Sequence, residues 1–141
     1  MKANVVVDTS SVDKMLKGLP QKLNATVNKA LAATAERGIG MILDRTAKGK
    51  GYKGMFAAYN RQYAKFRLDH GRKDKPDLNY TGKMLGSMRS QVNKDRTAEI
   101  KFSRLSEAKK AAWNNQKRPF FGFNQKEKSY LRRFFGKYIK L

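Results

Sequence analysis

Between Pro20 and about Ala47, residues that would share one face of a helix recur at helical spacing. Pro20 fits the first turn of such a helix, because its missing N–H group would have no partner there. The face consists of Leu23, Val27, Ala30, Thr34 and the Met41–Ile42 pair. Small residues beside it keep the helix slim: Ala32, Ala33, Ala35, Gly38 and Gly40. The pattern predicts a long helix that packs closely on a sheet or on a neighbouring subunit.

Strand patterns occur at the start of the chain and after its middle. Ala3–Val7 is rich in β-branched residues, which is typical of a short strand. Ser90–Asn93 and Thr97–Ser103 form two runs separated by three polar residues. In the second run apolar and polar residues alternate, a period of two that buries one face of a sheet. These two runs therefore predict an antiparallel hairpin.

Short helices are predicted between and after these strands. Ser10 and Ser11 can cap a helix that runs to Gly18. Thr81 can cap a second one, whose apolar stripe is Met84, Leu85 and Met88. Ser106–Asn115 carries alanines and Trp113 at helical positions and predicts a third.

The segment Phe56–Leu68 predicts a further helix with an aromatic stripe. Phe56, Tyr59, Tyr63 and Phe66 lie three or four residues apart, with basic residues around them. Aromatic side chains among bases can stack on single-stranded nucleic acid. A stripe with this spacing is more often part of a core, and this is the interpretation the pattern favours.

The last helix is predicted from a capping signal. Asn124 followed by Glu127 has the spacing of a capping box, and the helix continues to about Ile139. One face is aromatic and apolar, and the others are basic. Three placements fit such a helix: docking on its own subunit, packing between subunits, or lying on a membrane surface.

Together these elements predict an α+β fold, with a long N-terminal helix and further helices packed on a small antiparallel β-sheet. The length of 141 residues suits a single domain. Its parts are the N-terminal strand and helices (1–47), a basic loop and helix (48–75), the Thr-Gly region with the hairpin (76–104) and the C-terminal helices (105–141).

The net charge of the chain indicates which classes of partner it could bind. The formal net charge is +21, which favours nucleic acid, anionic membrane surfaces or acidic proteins. The chain has no cysteine, so disulfides and thiolate metal sites are excluded. Because no signal peptide or membrane-spanning stretch is recognisable, a soluble protein made in a cytoplasm is expected.

The stretch Lys48–Gly54 is predicted to be a flexible basic loop. Lys48, Lys50 and Lys53 alternate with glycines, but the spacing of a Walker phosphate loop is absent. The loop fits either a mobile surface or a cradle for phosphate groups, and these lysines are the candidate contacts to DNA or to an acidic partner.

The one histidine, His70, lies between Asp69 and Asp74 in a Gly/Lys-rich loop, where a solvated position is favoured over a general base or metal ligand.

Four segments occur in an order that resembles the bacteriophage virion-morphogenesis proteins, the tail-completion and head–tail joining group. They are Gly51–Lys65, Pro76–Met88 with its Thr-Gly-Lys-Met-Leu-Gly-Ser box, Ala112–Gln116, and Arg118–Phe123 with the sequence Arg-Pro-Phe-Phe-Gly-Phe. In that group an L-T-G-x-L-x-x-S box is followed by an R-P-F-x-G box. The chain differs from the group at Asn114, where a histidine is usual.

The resemblance implies a structural protein of the virion neck or tail top, made in the bacterial host cytoplasm, with no enzymatic activity, cofactor or metal. Its partners would be other neck or tail proteins and copies of itself in a six- or twelve-fold ring, without a membrane. Thr81, Gly82, Leu85 and Ser87 would form a structural box. Arg118, Pro119, Phe120 and Phe121 would form the partner interface. Arg118 and the two phenylalanines are of the types that anchor interfaces, although burial of these three against the subunit's own sheet is equally compatible with the sequence.

The basic charge then has two possible uses: sequence-independent contact with packaged DNA, or attraction to an acidic surface during assembly. The main rival function is a non-specific nucleic-acid-binding protein outside a virion. A basic nuclease that uses Asp69, His70 and Asp74 is a weaker rival.

Overall fold

The computed structural model describes residues 4–7 and 21–139, in which four α-helices pack on two antiparallel sheets. The helices are α1 (Gln21–Ala47), α2 (Arg61–Asp69), α3 (Leu105–Lys117) and α4 (Gln125–Ile139), and a single 3-10 turn covers Leu85–Ser87. The strands are β1 (Asn4–Val7), β2 (Lys50–Gly51), β3 (Gly54–Met55), β4 (Met88–Val92) and β5 (Ala98–Phe102). The predicted α+β architecture is confirmed.

The larger sheet has the order β1-β5-β4, so the second strand of the predicted hairpin lies in its centre. Ile100 is opposite Val5 on one side and Ser90 on the other. The alternation read from the sequence arises because only one face of this strand meets the core: Ala98, Ile100 and Phe102 are buried, whereas Glu99 and Lys101 on the other face are only half-buried. The N-terminal run thus pairs with a strand about ninety residues later in the chain, a pairing that period-two patterns do not specify.

Helix α1 is the scaffold of the core and contacts both the larger sheet and α4. The small residues of α1 permit this close approach: a Cβ on Gly38 would lie 3.2 Å from Ile100 Cδ1 and 2.8 Å from Phe123 Cζ. Among the described residues of α1, the polar side chains of Thr34 and Thr46 are buried. Thr34 donates its hydroxyl to Ala30 O at 2.7 Å, whereas Thr46 Oγ1 has no hydrogen-bond partner among the described residues. The buried apolar residues of α1 are Val27, Ala30, Leu31, Ala35, Ile39 and Ile42.

Helix α4 docks on the body of its own subunit through Leu131 and Phe135, which are buried. The capping box forms as predicted. Glu127 N donates to Asn124 Oδ1 at 2.8 Å, and Asn124 N donates to Glu127 Oε1 at 3.0 Å. Docking on its own subunit, the first of the three predicted placements, is therefore present in the folded chain.

Two predicted helices begin later than expected. Helix α2 starts at Arg61, because Asn60 caps it by accepting the Tyr63 N–H at 2.8 Å. The predicted Thr81 helix is only the short 3-10 turn, and no side chain caps it. The predicted helix from Ser10 to Gly18 lies outside the described residues. Within the part of the chain that the structure describes, no helix is both long enough and apolar enough to cross a bilayer.

Candidate functional site

The Arg-Pro-Phe-Phe segment (Arg118–Phe123) crosses the molecule between α3 and α4, and its two central rings are buried. Phe120 and Phe121 are 0% and 6% exposed. Their ring centroids lie 6.5 and 4.9 Å from that of Phe102 on β5. Asn115 Oδ1 accepts both of their N–H groups at 3.0 Å. Of the two alternatives left open for these rings, the folded subunit shows burial against its own sheet, which removes both rings from the surface where a partner could bind.

Arg118 and Pro119, the other two predicted anchors, are half-buried and make contacts within the chain. Arg118 donates from Nε to Ala57 O at 2.8 Å and from Nη2 to Ala58 O at 2.9 Å. Its guanidinium also lies 4.6 Å from the centre of the Tyr59 ring. Arg118 therefore holds the segment before α2 in place.

Arg45 of α1 fixes the other end of the Arg-Pro-Phe-Phe segment. Its Nη1 donates to Phe120 O at 3.0 Å, its Nη2 donates to Gly122 O, and its Nε lies 3.1 Å from Glu127 Oε2. Burial lowers the pKa of the guanidinium, although the charge of Glu127 opposes that shift. Glu127 thus caps α4 and balances a buried charge on α1.

Lys50 and Lys53 lie on a β-hairpin and Lys48 lies in the turn between α1 and that hairpin, where the glycines predicted a loop. Strands β2 and β3 pair Lys50 with Met55, and all three lysines are exposed. The hairpin rests on the Arg-Pro-Phe-Phe segment: Tyr52 N donates to Pro119 O at 3.2 Å. A Cβ on Gly51 would lie 1.8 Å from that oxygen, so only glycine permits this contact. The two segments predicted to contact partners are therefore neighbours.

The predicted Thr-Gly box is divided between surface and interior. Thr81 and Gly82 are exposed, whereas Leu85 and Ser87 are buried. Ser87 donates from its hydroxyl to Met84 O at 2.8 Å, and its carbonyl accepts the Ser103 N–H at 2.8 Å. The buried half of the box joins the 3-10 turn to the end of β5.

An open groove of about 700 Å³ lies between the segment before α2, the chain around Thr81 and helix α3. Arg67 of α2 lies in it and is 1% exposed. Its charge is compensated by Asp77, whose Oδ1 lies 2.8 Å from Nη2, and by Lys73 O, which accepts from Nε at 2.7 Å. Burial lowers the pKa of Arg67, but its interactions with Tyr63, Tyr59 and Asp77 together raise it above the ordinary value.

Part of the aromatic stripe forms one wall of the groove. Tyr59 and Tyr63 meet edge to face at 4.8 Å, and the Arg67 guanidinium lies 5.0 Å from the centre of the Tyr59 ring. Tyr59 accepts the Leu78 N–H at 3.1 Å, and burial raises the pKa of its hydroxyl. Phe66 is 44% exposed and stacks with Tyr80 at 6.0 Å. The prediction that the stripe belongs to the core is confirmed for Phe56, which packs against the buried cluster, whereas Tyr59 and Tyr63 are half-buried. It is wrong for Phe66, because buried Arg67 takes the inner position on α2.

Helix α3 forms the opposite wall. Trp113 lines the groove and is 67% exposed, and Lys110 and Lys117 lie one turn before and one turn after it. Glu107 lines the groove too but is 4% exposed. Its Oε1 lies 3.2 Å from Lys110 Nζ, and its Oε2 has no hydrogen-bond partner among the described residues. The wall combines an exposed indole, two flexible cations and one buried carboxylate.

Sequence reasoning missed this groove. The helical spacing of Lys110, Trp113 and Lys117 placed them on one face, which was a usable signal for its outer wall. No local signal brings that face opposite Tyr59 and Tyr63, which lie about fifty residues earlier in the chain.

His70 is exposed at the end of α2, where its Nδ1 lies 2.7 Å from Phe66 O and its ring packs on Phe66 at 4.0 Å. Among the described residues no three carboxylate or imidazole side chains are grouped closely enough to hold a metal ion.

A scan against protein-family models, a search of curated proteins and a search of solved structures each gave no match to this chain.

Proposed function

We propose that the chain is a structural subunit of a bacteriophage particle, which completes the tail or joins it to the head as part of a ring at the neck. Its action lies in protein–protein contacts rather than in catalysis. The observation that carries the proposal is the ordered set of four segments that resembles the virion-morphogenesis proteins. Ring assembly of this kind uses two different faces of each subunit, because heterologous contacts close by rotation.

The surface of the subunit offers groups that a protein partner would cover. Met55 at the end of the β2–β3 hairpin is 70% exposed, and Leu105 at the start of α3 is 74% exposed. Large apolar side chains in such positions gain free energy when a partner removes them from water. The contacts of the proposed interface therefore lie at Met55 and Leu105, while Phe120 and Phe121 stabilise the subunit that carries them.

The proposal is tested by deleting the coding sequence from the phage that carries it and restoring it in trans. Without the chain, infectious particles are expected to be lost, with heads and tails accumulating separately in electron micrographs. Purified wild-type particles are expected to contain the chain. A wild-type yield of infectious particles in its absence overturns the proposal.

Variants then locate the interface. Met55→Glu with Leu105→Glu is expected to lower particle yield while the circular dichroism spectrum stays unchanged. Gln62→Glu with Gln91→Glu is the matched control, because it adds the same two carboxylates at exposed polar positions. Equal yields from the two folded double variants would exclude Met55 and Leu105 from the interface.

A second function, sequence-independent contact with nucleic acid, is favoured by the net charge of +21 and by the exposed lysines of the hairpin. Binding of duplex DNA to the purified protein is expected to weaken steeply with salt, because lysine contacts release counterions from the phosphates. Lys50→Glu with Lys53→Glu is expected to weaken this binding without unfolding the chain. No binding at about 50 mM salt would exclude the second function.

A further inference from the structure

We propose that the groove between α2 and α3 binds a short single-stranded segment of nucleic acid, with one base stacked on Trp113 and the adjoining phosphates beside Lys110 and Lys117. The inference deepens the second function above, because it assigns the nucleic-acid contact to one site and one form of the ligand.

The walls of the groove have the composition that single strands require. Tyr59, Tyr63 and Tyr80 line it together with Trp113. Arg67 and Arg118 lie over the Tyr59 ring, and Phe66 and Arg72 lie against Tyr80. The exposed indole of Trp113 is therefore the ring that can stack on a base. A duplex hides the faces of its bases in its own stack, whereas a single strand presents them. An exposed tryptophan within an aromatic groove therefore selects the single-stranded form.

The charges around these rings fit a polyanion. Arg67 is paired with Asp77, and Arg118 is held by the carbonyl groups of Ala57 and Ala58. Lys117 is exposed, and the side chain of Lys110 is 60% exposed. Lys110 and Lys117 lie three residues before and four after Trp113, so the three side chains share one face of α3. The Lys110 ammonium also contacts Glu107 Oε1 at 3.2 Å but remains exposed. It and the Lys117 ammonium lie on either side of the indole, which matches the phosphates that flank a stacked base.

Glu107 gives the site a preference among bases. Glu107 Oε2 is buried in the groove wall without a hydrogen-bond partner among the described residues, so a base can bond to it only when the side chain turns toward the groove. An unpaired buried carboxylate oxygen is costly, and a donor that meets it recovers that free energy. Cytosine and adenine carry an exocyclic amino group that can donate to it, and thymine carries none. The groove is therefore expected to favour oligodeoxycytidine over oligothymidine of the same length.

Trp113 is also the reporter of the test, because it is the only tryptophan in the chain. A short oligodeoxycytidine is titrated into the full-length protein at about 50 mM salt, where phosphate contacts are strong. Indole fluorescence is expected to be quenched as the strand binds. Duplex DNA of the same length is expected to bind without comparable quenching.

Affinities of variants are measured with a fluorescently labelled oligodeoxycytidine. Trp113→Ala is expected to weaken binding by about 5- to 150-fold, the loss of one stacked base. Leu68→Ala is the matched control, since Leu68 is an exposed apolar residue of α2 that does not line the groove. Glu107→Gln is expected to reduce the preference for oligodeoxycytidine over oligothymidine.

Each contrary outcome is distinct. If single strands and duplexes bind equally without quenching, nucleic-acid contact stands and the groove is not its site. Binding of neither form at low salt removes both the groove site and the second function. If an oligoglutamate of equal charge quenches Trp113 as strongly as the oligonucleotide, the groove binds acidic peptide and the inference is overturned. Equal affinities of Trp113→Ala and Leu68→Ala also overturn it.

Discussion

Replacement of Phe120 by alanine tests most directly whether the Arg-Pro-Phe-Phe segment serves the core or a partner. The side chain is 0% exposed, and its ring centroid lies 6.5 Å from that of Phe102 and 6.0 Å from that of Phe121. The substitution removes the ring but leaves the backbone, whose N–H and carbonyl groups keep their bonds to Asn115 and Arg45. Only the packing changes.

The expected cost follows from this burial. Buried Phe→Ala substitutions destabilise proteins by about 3–5 kcal/mol, because they lose the transfer free energy of the ring and leave a cavity. A domain of this size is stable by about 5–15 kcal/mol in total. Phe120→Ala is therefore expected to remain folded only with a small margin, and its double variant with Phe121→Ala is expected to unfold.

Urea denaturation followed by circular dichroism measures this loss, with Trp113→Ala as the control. Trp113 is as bulky but 67% exposed, so its replacement is expected to change the free energy of unfolding by no more than about 0.5 kcal/mol. A loss below about 1 kcal/mol for Phe120→Ala would contradict the reasoning, since no buried ring is removed so cheaply. Unchanged stability together with failed particle assembly would restore Phe120 as a surface anchor.

Three further predictions concern the contacts around this segment and the Thr-Gly box. Gly51→Ala is expected to destabilise the chain by about 1–3 kcal/mol, because its Cβ would meet Pro119 O at 1.8 Å and the hairpin must move. Gly86→Ala is the control, since its Cβ would meet no atom within 4 Å, and equal melting temperatures of the two variants would refute the clash. Glu127→Gln keeps an oxygen for the Asn124 N–H but leaves the Arg45 guanidinium without a carboxylate, so the free energy of unfolding is expected to fall by about 1–3 kcal/mol. A value within about 0.5 kcal/mol of wild type in denaturant unfolding would show that the carbonyl groups of Phe120 and Gly122 are enough to hold the guanidinium. Ser87→Ala is expected to lower the free energy of unfolding by about 1 kcal/mol through loss of its hydrogen bond to Met84 O, whereas Thr81→Ala, at an exposed position, is expected to be nearly neutral. A lower melting temperature for Thr81→Ala than for Ser87→Ala would mean that the exposed half of the box maintains the fold.

Local signals were sufficient for the elements whose pattern and capping agree. The helical spacing after Pro20, the alternation around Ile100 and the reciprocal capping of Asn124 and Glu127 each identified an element close to its observed bounds. These signals work because periodicity and capping depend on residues within one turn or one strand of each other. The α+β class followed from their sum.

Tertiary structure decided which phenylalanines are buried and which are exposed. Phe120 and Phe121 are buried because β5 presents Phe102 beside them, and Phe66 is exposed because Arg67 occupies the inner position of α2 with Asp77 as its partner. Phe102 and Asp77 both lie more than a helical turn or a strand away from these phenylalanines along the chain. Residue spacing alone therefore predicted a buried Phe66 and left two alternatives open for Phe120 and Phe121. The groove between α2 and α3 has the same origin. Its aromatic and basic residues are visible in the sequence, but only packing of α3 opposite the segment before α2 places them around one cavity.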